Sequence, residues 1–352
     1  MDSLFEIKDV DRRVYESELK EFLPDRMIDI HTHVWSQALK PTKTEARKRI
    51  VKWPRLVAPE NSVEDLMETY RLMFPGKSVT PLIFSSVRPE DDMDKMNEHI
   101  RESAERATCP ALMFSHPTWS SEQLERRMVE GGFVGIKSYL DLTPSYLPRQ
   151  EIRIYDFFPK HQLELMNRLG RIVMLHIPRD GRLRDPVNLA QMTEIDSEFP
   201  KAHIIIAHVG RAYCEEDVGD AFERLQHTKR LVFDFSANTN ASVFEQLIRC
   251  VGPDRVLFGS DLPILRMRMK RVCRDGMYVN VVPEGLYGDV SDDKNMDEVS
   301  GAEADELTFF MYEELRAFKL AAEATRLRDA DLESIFFGNG ARILRAAGYN
   351  IA

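Results

Sequence analysis

Met27-Ile28-Asp29-Ile30-His31-Thr32-His33-Val34-Trp35 is an apolar run that ends in two histidines one residue apart, after which the chain turns polar. If Met27 to Ile30 is a strand, alternation sends His31 and His33 to the same face as each other. Where the backbone opens into a loop at the carboxyl end, both imidazoles can reach one metal ion. Neutral imidazole suits zinc, manganese, iron or nickel. The plain alternative is a pair of loop histidines with no ligand. What separates the two is whether further ligands arrive downstream in suitable places.

Downstream the chain settles into a rhythm. Apolar runs of strand length occur at Val79–Phe84, Ala111–Phe114, Phe133–Ile136, Ile172–Leu175, His203–Ala207, Leu231–Phe235 and Val256–Phe258, which with the first makes eight. Amphipathic stretches of helix length separate most of them: 91–107, 121–130, 159–169, 186–199, 216–226 and 241–251. Short, almost continuously apolar strands alternating with helices indicate a parallel sheet covered on both faces. Eight units in 352 residues favour one closed (β/α)8 TIM barrel. An open doubly wound sheet is the alternative, and its dinucleotide form is weakened because no Gly-x-Gly-x-x-Gly follows the first strand. The whole chain, 1–352, reads as a single domain. Residues 1–23 read as a helical lead-in and 36–60 as a long basic loop with a short helix. After the eighth strand the rhythm stops. Residues 264–300 read as a long irregular insertion on the active-site side, followed by C-terminal helices at 302–325, before 335 and after Gly338-Asn339.

Composition narrows the function classes. With 43% hydrophobic residues the chain can bury a large core, and its formal charge of −10 argues against a general nucleic-acid binder. Basic residues gather between Lys40 and Arg55 and again at Arg266, Arg268, Lys270, Arg271 and Arg274. These are solvated faces or holders of an anionic substrate. The insertion that carries the second cluster reads as a lid or binding loop, or as an oligomer contact, so a homo-oligomer stays open. Four widely spaced cysteines (Cys109, Cys214, Cys250, Cys273) without a Cys-x-x-Cys pair suit a reduced, cytoplasmic protein better than a disulfide framework. Neither a signal core nor a run of about 18 apolar residues is present, so no membrane span is expected.

In a barrel of this kind, function sits at the carboxyl ends of the strands. Those positions hold His31 and His33, then Lys137, His176, His208 and finally Asp261, so four of the nine histidines fall there. A single histidine so placed reads as structural. The whole set in phase with eight strands does not.

With these residues in place the chain resembles the amidohydrolase superfamily, specifically its family 2 branch. The likeness rests on Ile28-Asp29-Ile30-His31-Thr32-His33, Gly135-Ile136-Lys137, Met174-Leu175-His176, Ile206-Ala207-His208-Val209-Gly210 and Leu257-Phe258-Gly259-Ser260-Asp261-Leu262-Pro263. Asp234-Phe235-Ser236 and the Gly338-Asn339 turn add to it, and it spans about residues 27–347. The resemblance implies one divalent metal, zinc or manganese, held by His31, His33, His176 and Asp261, with His208 beside it. Such a metal lowers the pKa of water to around 7. Asp261 is suited to move the proton, and His208 to polarise a carbonyl and stabilise an oxyanion. Lys137 has two readings: a carboxylated bridge to a second metal, as in binuclear members, or an unmodified lysine that meets substrate. A salt bridge is its plain alternative. Arg179 and Arg211 stand just beyond ligand positions and are suited to clamp a substrate carboxylate, or form ordinary loop ion pairs. Trp35, Tyr139 and Tyr213 are candidates for the pocket wall.

The leading functional expectation is a metal-dependent hydrolase of a lactone, ester or amide of a small acidic compound. A non-oxidative decarboxylase or hydratase of the same superfamily is the second. A non-catalytic barrel that binds a small molecule is the third, and the full ligand set argues against it.

Overall fold

The computed structural model describes residues 4–40 and 56–351. Most of the loop expected at 36–60, and most of the basic cluster between Lys40 and Arg55, lie outside the described residues, which begin the loop with a short helix at Gln37–Leu39. Eight strands follow one another: β1 Arg26–His33, β2 Ser78–Phe84, β3 Leu112–Phe114, β4 Gly135–Lys137, β5 Ile172–Leu175, β6 His203–Ile206, β7 Val232–Asp234 and β8 Val256–Leu257. All pairings among them are parallel. β1 pairs with β2, and β3 to β8 form a six-stranded sheet in sequence order. Two seams interrupt the ladders, and single bridges cross them, Ile83 to Ala111 and Thr32 to Leu262. The result is the eightfold strand–helix alternation expected of a TIM barrel. Among the described residues no helix is long and apolar enough to cross a membrane.

Alternation along the strands divides the apolar side chains into two layers. Ile28, Ile30, Leu82, Leu112, Met174, Ile205 and Leu257 pack together inside the barrel, with Ile343 and Leu344 of the last helix among them. Met27, Ile83, Met113, Ile136, Val173 and Phe233 pack outward among the helices. Gly340 lets the last helix approach that closely, because a Cβ there would lie 3.0 Å from Ile28.

One irregularity in β1 decides where the histidines point. Met27 is in the outer layer and Ile28 and Ile30 in the inner one, so plain alternation would carry His31 and His33 outward. The register of β1 against β2 shifts between Asp29 and Thr32, a bulge that re-aims the chain. Beyond it both imidazoles line the interior cavity. The buried Asp29 carboxylate takes the backbone N–H of His31 at 3.2 Å, that of Ser260 at 2.9 Å and the Tyr70 hydroxyl at 2.8 Å. Donors at the irregularity are thereby satisfied, and burial pushes the Asp29 carboxyl up to about 7 despite these bonds.

Two expectations for the later chain are corrected. Residues 264–300 are not irregular: β9 Lys270–Arg274, β10 Met277–Pro283 and β11 Met296–Val299 form a small sheet in which β10 is central. Its strands are short and mixed in polarity, and β9 and β10 turn over Asp275-Gly276, both at positive φ. Nor are all four cysteines reduced. Cys214, after β6, is bonded to Cys273 of β9, and only Cys109 and Cys250 are free. Tertiary packing of the hairpin against the β6 loop brings together two residues that sequence spacing keeps apart. A link across 59 residues removes about 4 kcal/mol of loop entropy from the unfolded chain. Reducing the protein, or replacing Cys273 by serine, is expected to lower its unfolding free energy by up to that amount in urea titration. An unchanged midpoint after reduction would show that the bond contributes nothing.

Candidate metal centre

At the end of β1 the tautomers of two histidines are set by their outer partners. His33 Nδ1 lies 3.0 Å from the Ser85 carbonyl, which only accepts, so Nδ1 carries the proton and Nε2 its lone pair. His31 Nδ1 lies 2.9 Å from the Asp234 carboxylate, so its Nε2 is likewise free. Both Nε2 atoms face the same carboxylate oxygen, Asp261 Oδ1, at 3.1 Å from His33 and 3.5 Å from His31. Two lone pairs turned on an anion repel unless a cation sits among them. The donor set therefore fits a metal ion, and an imidazole backed by a carboxylate is a recurrent support for a metal ligand.

His208 joins from the far wall through an unusual backbone. His208, Val209, Gly210 and Arg211 have φ of 57°, 48°, 61° and 60°, a left-handed turn that costs L-residues about 1–2 kcal/mol each. Asp261 is left-handed too, at 58°. The turn is held by His208 N–H to Asp234 Oδ1 at 2.8 Å and by Gly210 N–H to Ala207 O at 2.9 Å. The Asp261 N–H donates to His31 O at 2.7 Å. Ser236 Oγ donates to Asp234 at 2.5 Å and so receives the His208 Nδ1 proton at 2.9 Å, which leaves His208 Nε2 free. One atom each of His31, His208 and Asp261 lies within 4.8 Å of the others, the closest such trio among the described residues. Gly259 makes this approach feasible, since a Cβ there would stand 3.0 Å from that of His31 and 3.3 Å from that of Asp234.

The remaining sequence candidates divide. His176 is buried beside His208, with ring centroids 5.2 Å apart, and its Nδ1 has no hydrogen-bond partner among the described residues. Lys137 lines the same cavity and has no carboxylate within ion-pair distance among the described residues, so the plain salt bridge is not formed. Trp35, Tyr139 and Tyr213 line the wall as expected. Neither Arg179 nor Arg211 lines it. Arg179 pairs with Asp185 at 3.0 Å. Arg211 is buried, and its Nη1 donates to the carbonyls of Ile177, Pro178 and Arg179 at 3.1–3.3 Å, bracing the left-handed turn. Asp234 was not among the sequence candidates for a site role. Its signal was available, because it too ends an apolar strand.

Burial shapes the titration of the cluster. It holds His33 below its ordinary pKa, His176 well below, and His208 down at about 4, so these imidazoles are neutral and able to ligate. Burial lowers Lys137 to about 8, partly offset by Asp234 and Asp261. For Asp234 burial works upward, but the His31 contact outweighs it and the carboxyl rests at about 2. Asp261 is likewise held well below the carboxylate range, against the opposing effect of burial. The cavity measures about 230 Å³, below the usual drug-sized range of about 300–1,000 Å³, and so suits a small substrate.

A family model described as amidohydrolase matches residues 28–346. No curated protein sequence matches the chain. Among solved structures, an amidohydrolase from Burkholderia multivorans with bound zinc aligns at TM-score 0.55 and 14% identity, over 91% of this chain and 99% of that one. A dihydroxybenzoic acid decarboxylase from Polaromonas sp. JS666, with manganese and the inhibitor 2-nitroresorcinol, aligns at 0.51 and 16%, over 92% and 97%. Amidohydrolase 2 from Bifidobacterium longum subsp. infantis aligns at 0.51 and 16%, over 93% and 100%.

Asp234 orients His31 and His208 without itself facing the open centre. Asp234→Asn is therefore expected to weaken zinc or manganese binding by about 10–100-fold while the far-ultraviolet circular dichroism stays native. Metal titration with a competing chelator reads this, and native affinity in the variant would remove Asp234 from the centre.

Proposed function

The chain belongs to the amidohydrolase family, and from that premise we propose that it is a metal-dependent hydrolase of a lactone, ester or amide of a small acidic compound. The observation that supports this is the convergence of His31, His33, His176, His208 and Asp261 on one small cavity, with neutral imidazoles turned on an unprotonated carboxylate. We assign one divalent cation, zinc or manganese, to His31, His33, His176 and Asp261. His176 is included on the resemblance and because it lines the cavity, with a buried Nδ1 that has no hydrogen-bond partner among the described residues. His208 is the nearer neighbour in the structure, and the division of roles between these two is the part that mutation decides. When bound, the cation supplies Lewis-acid polarisation and acidifies a water.

The chain's own groups carry the remaining steps. Asp261 takes a proton from the attacking water and returns it to the leaving atom. His208, whose Nδ1–H is held by Ser236, presents the Nε2 lone pair and so accepts a hydrogen bond from the attacking water, in place of the carbonyl polarisation expected from the resemblance. Lys137 offers a cation in a dry wall, where its interaction with an anionic substrate is little screened. Trp35, Tyr139 and Phe114 provide flat apolar surface that shields the reacting atoms from bulk water.

The same aromatic wall favours a second reading, non-oxidative decarboxylation of a small aromatic acid. Presenting metal-loaded enzyme with a set of lactones and with hydroxybenzoates separates the two: ring opening without gas supports hydrolysis, and released carbon dioxide supports decarboxylation.

Four variants test the metal assignment. Purified protein is expected to carry about one metal per chain with Lys137 unmodified. His31→Ala/His33→Ala and His176→Ala are expected to lose the metal, whereas His208→Ala keeps it and loses turnover, as does Asp261→Asn with weakened binding. Elemental analysis with activity before and after chelation reads all four. Full metal occupancy in the double variant would sink the centre, and two metals about 3.5–4 Å apart over a carboxylated lysine would overturn the single-metal form.

A further inference from the structure

The insertion after β8 carries five cations close behind Asp261, and the structure gives each a different environment. Arg266 donates to Asn61 Oδ1 at 2.5 Å and to the Asp65 carbonyl. Arg268 forms a two-point pair with Asp11, at 2.6 and 2.9 Å, and does not line the cavity. Arg274 is exposed and pairs with Asp297, and Lys270 is exposed. Arg271 alone of the five lines the cavity that holds the histidines.

Arg271 is built in as a fixed fork. Its guanidinium carbon stands 4.4 Å from the ring centroid of Phe310, 4.6 Å from Tyr278 and 5.0 Å from Tyr213, three aromatic rings that hold the guanidinium in place. Nε donates to Asn280 Oδ1 at 2.8 Å and Nη1 to the Ala237 carbonyl at 2.5 Å. Nη2 has no acceptor among the described residues, and no carboxylate lies within ion-pair distance. The nearby Arg182 is already neutralised by Asp217 at 2.6 Å. Glu314 also lies near but makes no ion pair with Arg271, and burial pushes its carboxyl well above the ordinary range. Two residues along β9, Cys273 is bonded to Cys214 next to Tyr213, so the disulfide fixes the strand that presents Arg271 to the loop that presents one of its rings.

We propose that Arg271 is a substrate-binding residue that receives a carboxylate of the substrate where the insertion lines the cavity, with the reacting group held at the histidines. The carboxylate supplies the charge that the protein withholds from this arginine. A planar fork with free N–H groups recognises it with direction as well as charge. The substrate class follows: a small molecule with one carboxylate set apart from the bond that is cleaved. The inference rests on the metal-dependent reading of the same cavity.

Two pairs of probes that differ by one carboxylate test it by titration calorimetry: isophthalate against benzoate, and glutarate against butyrate. In zinc-loaded protein the dicarboxylate of at least one pair is expected to bind about ten- to a hundredfold more tightly than its partner. Arg271→Met removes that preference while zinc content and melting temperature stay native, Arg271→Lys leaves an intermediate preference, and Arg274→Met on the same hairpin keeps it whole. Absence of preference in both pairs overturns the proposal. So does a preference that survives in folded Arg271→Met, which would make this arginine a brace for Ala237 and Asn280 only. If Arg271→Met does not fold, Arg271→Lys decides, and an undiminished preference there overturns the proposal as well. Metal-stripped protein separates the two readings. Protein that never takes up metal yet keeps the Arg271-dependent preference defeats the proposed function and supports this inference, whereas protein with one zinc and no preference defeats only this inference.

Discussion

The buried carboxyl of Asp29 is the constraint on which the site depends. A strand that kept its alternation through residue 33 would send His31 and His33 into the helical layer, where Met27 already lies. The bulge prevents this, and a bulge leaves backbone donors out of the ladder. Asp29 accepts the N–H groups of His31 and Ser260, one from each side of the seam between the first and last strands. The bond from Tyr70 ties the same carboxyl to the helix Val63–Met73. One side chain thus turns the histidines inward and fixes β1 to the segment that delivers Asp261. A buried N–H left without an acceptor costs about 1–3 kcal/mol, so the device is not readily replaced.

Asp234 plays the complementary part on the other wall. It fixes the tautomer of His31, caps the left-handed turn at His208, and through Ser236 fixes the tautomer of His208 as well. Five non-glycine residues of the site region, His208, Val209, Arg211, Ala237 and Asp261, sit in the left-handed region, with Val209 the least suited as a β-branched residue. Such strain persists only where the surroundings over-determine it. Here they are the Arg211 guanidinium on three carbonyls, Gly210 within the turn, and two buried carboxylates. A rigid support of this kind holds ligand atoms in place before any ligand arrives, as catalytic geometry requires.

The arginines show how partners sort residues that a sequence presents as equals. Arg179, Arg211, Arg266, Arg268 and Arg271 all lie near proposed ligands along the chain. Carboxylates neutralise Arg179 and Arg268, carbonyl oxygens occupy Arg211, and Arg266 is held by Asn61. Arg271 is stacked among rings, which leave its charge in place. The hairpin that carries it is stapled by a disulfide to the loop after β6, so the wall of the cavity is built from two distant parts of the chain.

Much of the fold was determined by sequence alone, because apolar strands and amphipathic helices advertise their period locally. Ser121–Glu130 and Ala241–Val251 form helices at the bounds that the pattern indicated, and Ile172–Leu175 forms a strand at its own. The strand-end histidines, Lys137 and Asp261 were legible for the same reason: once the strands are placed, their carboxyl ends are known. The bulge at Asp29 was not, since it depends on how β1 pairs with β2. Nor was the pairing of Cys214 with Cys273, the hairpin made from a stretch of mixed polarity, or the choice of Arg271 over its neighbours. Each of these is a contact between residues far apart in the chain, and its energy comes from partners that local pattern does not name. Sequence determined which groups reach the mouth of the barrel, and tertiary structure decided which of them are left free to act there.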